Sequence, residues 1–186
     1  MVGDLYRHQC QPDNAMSEYA KALAIDSHDP AAQLGMAAIQ LSEGHPEQAV
    51  LLAQAALADR PQDLQLNLMM SEALVASHQY TEAKSYLEKC LDAPADLLPQ
   101  VHGLLGRVDA AEGKTSSAIQ QLELALPSDK DGSLHYQLSR LYRKSGDTAR
   151  AQKATVEAQA LANARLVSAT IAIRETTALN PQRTNQ

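Results

Sequence analysis

The chain is 186 residues long and 45% apolar, with no tryptophan and no phenylalanine. Its net charge of −6 lacks the cationic footprint that phosphate backbones demand, which excludes a general nucleic-acid binder. No apolar run approaches the ~18 residues of a membrane span, no basic segment leads into an apolar signal core, and two cysteines make no disulfide framework.

The chain opens with a helix ending near Gln9. Pro12 starts a second helix that reaches Asp26; proline suits a first helical turn, where its missing N–H loses no bond. The turn Ser27-His28-Asp29-Pro30 leads to a helix ending at about Glu43, where Gly44 tolerates a left-handed backbone. A helix from Pro46 stops before Pro61. Helices near 62–77 and 80–92 follow, then an irregular stretch, Asp92–Pro99, with two prolines. Helices near 97–112 and 115–126 end at Pro127-Ser128-Asp129. The last pair is a helix near 132–145, a stop at Gly146, and a helix capped by Asp147. Residues 147–179 contain neither proline nor glycine, so this helix either runs on or turns at Asn163 into a capping helix. Residues 180–186 read as a flexible tail.

The elements repeat. Alanines at 15, 49, 83, 118 and 151 are spaced by 34, 34, 35 and 33 residues. Around them recur a small residue, a turn and a small residue followed by leucine: Ala37, Gly44, Ala49, Ala56-Leu57 and Pro61, then Gly106, Gly113, Ala118 and Ala125-Leu126. Such a period signals a solenoid. The frame resembles the tetratricopeptide repeat family. It departs from the family at position 4, where Gln33, Asn67, His102 and His135 replace an aromatic. The resemblance implies an all-α, right-handed superhelical solenoid of antiparallel helix pairs, with about four full repeats and a truncated first one. A C-terminal capping or extended helix follows. The array covers 1–162, with pairs near 1–29, 30–63, 64–97, 98–131 and 132–162; the C-terminal helix covers 163–179. The first copy begins inside a helix, which implies a longer parent whose start, and any export signal, has been trimmed. The small residues let helices approach closely, and Leu23, Leu57, Leu91 and Leu126 fill the gaps between pairs.

In this family the first helix of each pair lines a concave groove. The frame then gives Leu34, Leu41, Leu68, Met69, Glu72 and Val75 in an apolar N-terminal half. Arg107, Tyr136, Arg140 and Arg143 make the C-terminal half cationic. The expected partner is a protein or peptide with an apolar stretch and an acidic end. Residues at the family's chaperone-tail clamp positions, among them Leu68, Glu72 and Leu104, do not match that clamp.

Catalytic chemistry is not indicated: there is no phosphate-cradling loop and no HExxH or CxxC pattern. His102 and His135 occupy equivalent positions of adjacent repeats, where a metal would need further ligands; they read as packing residues, and no metal or other cofactor is expected. Asp109 and Glu112 read as surface carboxylates. The leading function is a non-catalytic interaction module within a larger scaffold. One alternative is self-association into a homodimer through Leu161, Ala164, Val167 and Ile171, a helical stripe too apolar to face water. The other is an accessory domain of a larger enzyme.

Overall fold

The computed structural model describes residues 2–179, with side chains through Ile171. The tail expected at 180–186 lies outside the described residues. Among the described residues, ten α-helices form five antiparallel pairs: α1 (Val2–His8) with α2 (Pro12–Ile25), α3 (Pro30–Ser42) with α4 (Pro46–Asp59), α5 (Leu64–Ala76) with α6 (Tyr80–Glu88), α7 (Leu98–Ala111) with α8 (Thr115–Ala125), and α9 (Ser133–Lys144) with α10 (Thr148–Leu179). Each pair stacks on the one before: α3 covers α1 and α2, α5 covers α3 and α4, and α7 covers α5 and α6. No strand occurs among the described residues.

The turn inside each pair is one motif used five times. Cys10, Gly44, His78, Gly113 and Gly146 all have positive φ, between 55° and 84°. The residue after each one donates its N–H five positions back, Gln11 to Tyr6, His45 to Gln40, Gln79 to Leu74, Lys114 to Asp109 and Asp147 to Tyr142, at 2.8–3.0 Å. This left-handed cap satisfies carbonyls that a helix end otherwise leaves open. Between pairs, Asp29 and Asp63 cap α3 and α5, each side chain accepting two backbone N–H groups.

The repeating alanines fill the core: Ala15, Ala49, Ala83 and Ala118 are fully buried and Ala151 is 2% exposed. Tyr19 is also fully buried, its ring seated against Gly3 and Gly35, where an added Cβ would stand 2.6 and 2.2 Å from it. The polar residues at position 4 tie each helix to nearby structure. Gln33 donates to the Ser27 carbonyl, Asn67 to those of Pro61 and Asp63, His102 bonds Gln121, and His135 bonds Asp129.

Two expectations are corrected. The sixth helix ends at Glu88, not near 92, so Leu91 falls in a turn and is exposed; Ala93 is buried there. Asp109 is no surface carboxylate: it is 8% exposed and accepts the Ser117 hydroxyl from the facing helix. Of the two courses open to residues 147–179, α10 takes the first and runs unbroken for 32 residues through Asn163.

Candidate functional site: the concave clefts

The middle first helix, α5, buries 8 of its 13 residues, because helices pack on it from both sides. Two predicted groove residues are lost to that packing. Leu68 and Val75 belong to the core and are not groove side chains. Leu34, Leu41 and Met69 are half-buried and lean on the core clusters. The apolar N-terminal half of the predicted groove is therefore largely consumed by stacking.

The C-terminal half is open. A cleft of about 530 Å³ lies between α5, α7 and α9, with Glu72, Gln100, Leu104, Arg107, Leu134 and Gln137 on its walls. A second of about 600 Å³ adjoins it, lined by Tyr80, Arg107, Ala110, Ala111, Gln137, Arg140, Leu141 and Lys144. Arg107 and Gln137 belong to both, so the two form one continuous surface.

Charge is unevenly spread along it. In the second cleft every charged residue is a cation: Arg107, Arg140 and Lys144. All three are exposed, and none makes a hydrogen bond or ion pair with the described residues. In the first cleft, burial raises the Glu72 carboxyl above its ordinary range, opposed by a bond from the Gln100 amide and the attraction of Arg107. Guanidinium and ammonium groups are the side chains that pair with carboxylates through charge-assisted hydrogen bonds.

Tyr136 and Arg143 lie elsewhere. Seven residues apart on one face of α9, they look toward α10: Arg143 donates to Thr155 at 3.0 Å. Tyr136, 57% exposed, lines a separate end cleft of about 380 Å³ with Gly132, Thr155, Ala158 and Ala162. Beyond this cleft α10 leaves the array. Leu161 is half-buried, and Ala164, Val167 and Ile171 are exposed.

Lys144 and Gln137 share helix α9 with Arg140 and line the same cleft, whereas Tyr80 and Arg165 carry no sequence signal. Tyr80 starts the second helix of its pair, and Arg165 reaches the first cleft only because α10 continues past the array. Among the described residues, no cluster of histidine, cysteine or carboxylate side chains is placed to hold a metal, and no helix is long and apolar enough to cross a membrane. His102 and His135 do not pair with one another; each has its own partner.

Comparison with known proteins agrees with this architecture. The chain is 28% identical over 134 residues to the mitochondrial ALBINO3-like protein 3 of Arabidopsis thaliana, covering 64% of the chain but only 24% of that protein. Among solved structures, MamA from Desulfovibrio magneticus RS-1 superposes with a TM-score of 0.71 at 18% identity, covering 88% of this chain and 92% of that one. TTC0263, a thermophilic TPR protein of Thermus thermophilus, superposes with a TM-score of 0.63 at 24% identity, covering 96% and 95%. At these identities the two structures show a shared fold. The tetratricopeptide repeat family model matches residues 7–71 and 40–108, together more than half of the chain. With five pairs stacked at the family's period, the chain belongs to the tetratricopeptide repeat family.

Proposed function

We propose that this chain is a non-catalytic interaction module that holds an acidic peptide segment of a partner protein in the C-terminal clefts. The observation that carries this reading is the convergence of Arg107, Arg140 and Lys144, unpaired among the described residues, on one cleft with a small apolar floor. An acidic side chain or chain end would sit among the cations, with an apolar neighbour against Ala110, Ala111 and Tyr80. Since the chain spans about a quarter of its Arabidopsis relative, the array is read as the interaction portion of a longer protein.

The test is a peptide array followed by fluorescence anisotropy on the peptides it selects. Replacing Arg107, Arg140 and Lys144 together by alanine should weaken binding by about tenfold or more, and added salt should weaken wild-type binding, because exposed charges are screened. The three cations are exposed and make no hydrogen bond or ion pair with the described residues, so unfolding stability should stay within about 0.5 kcal/mol. Equal binding to wild type and the triple variant would overturn the reading.

A further inference from the structure

In each earlier repeat the surface beside a helix pair is covered by the first helix of the next pair. The last pair has the same surface, and among the described residues no helix covers it: where α2 and α4 stop and turn, α10 continues from Ala162 to Leu179. What remains is the end cleft, floored by Gly132, Ala158 and Ala162. Gly132 sits so close to α10 that a Cβ there would lie 2.3 Å from the Ala158 carbonyl. The described part of the free half of α10 is meanwhile open: residues 163–171 are all exposed, and Leu166 is 67% exposed.

At about 100° per residue, Ala158, Ala162 and Leu166 share one face of α10. Acceptor and insert therefore lie on one stripe of one helix. We infer that two copies pair across a two-fold axis at Ala162, each placing the free half of its α10 in the other's end cleft, with Leu166 against Ala158. Two such helices run antiparallel, the relation each following first helix already has to the second helix before it, so the partner helix takes the place that the next first helix takes on the earlier pairs. Charges agree. Asp131 is the only charged residue lining the end cleft among the described residues, and Arg165 is the only one among 163–171. They already pair within one chain at 3.2 Å, with side chains 40% and 70% exposed. The two-fold brings Arg165 opposite Gln159, beside the partner copy's Asp131. Ala164, Val167 and Ile171 face the other way.

Sedimentation of the intact chain should give a mass near twice 20.1 kDa, and Leu166→Asp should raise the dimer dissociation constant by about tenfold or more. In a Cys10→Ser background, Ala162→Cys should cross-link to its own copy under copper-phenanthroline oxidation, because only a residue on the axis meets itself at disulfide distance. Val167→Cys should not cross-link. A monomer at tens of micromolar, an unaltered dimer in Leu166→Asp, or cross-linking through position 167 and not 162 would each overturn the pairing. Peptide binding in the concave clefts is read independently of these outcomes.

Discussion

The five left-handed turn residues show how far a single position obeys the repeat. Three are glycine, for which φ near +80° carries little steric cost, while Cys10 and His78 adopt the same conformation with a side chain. The period alone identifies those two as turn residues; their chemistry does not. Cys10 is exposed and makes no side-chain bond among the described residues, so Cys10→Gly should stabilise the chain by about 0.5–1 kcal/mol. Gly44→Ala should cost about 1–2 kcal/mol, although its added Cβ would meet nothing within 4 Å. Urea unfolding of both variants checks the pair: if neither shifts the midpoint, backbone strain is not what these turns share. Asp109 marks the opposite case. Nothing in its spacing reveals that Ser117 of the facing helix completes its bonding, because that contact exists only once α7 and α8 are antiparallel.

At the scale of elements, helix starts were legible where proline or aspartate marks them. Pro12, Pro30 and Pro46 open helices, and Asp29 and Asp63 cap them. Asp63→Ala should destabilise the chain by about 1 kcal/mol, while Asp63→Asn, which keeps an accepting oxygen, should cost a few tenths at most; thermal melts of the two variants separate capping from packing. Helix ends without such marks were not legible. Lys89–Asp92 could extend a helix by propensity, yet α6 stops at Glu88 and the chain turns inward to bury Ala93. Residues 147–179 left two courses open, since Asn163 permits either, and the absence of a packing partner beyond Ala162 lets α10 run straight.

For the whole molecule, the ends are pinned by two buried tyrosines. Burial, reinforced by hydrogen bonds to Asp4 and Glu123, pushes the phenols of Tyr19 and Tyr142 up to about 12 from an ordinary value of 10. The folded chain therefore keeps two protons that the unfolded chain releases between pH 10 and 12. Stability should be unaffected below pH 10 and should fall as pH rises from 10 through 12, on the order of 2 kcal/mol for each phenol. Urea midpoints between pH 8 and 12 check this, with Tyr19→Phe and Tyr142→Phe each removing part of the slope; a slope that persists in the double variant would assign it to other groups. In a solenoid each repeat leans only on its neighbours, so the loss should begin at the terminal pairs.

The sequence by itself determined the helix-pair solenoid, its register and its turns, because a 34-residue period carries the small residues that let each pair stack on the next. The family frame also assigned Arg107 and Arg140 to one groove, and both line the second cleft. Only the tertiary structure decided which of the groove positions stay open. Leu68 and Val75 are covered because neighbours close on α5 from both sides, whereas the last repeats keep their clefts. It also decided that Tyr136 lines the end cleft beside α10 and neither of the other two clefts, because α10 runs on without turning back over the last pair.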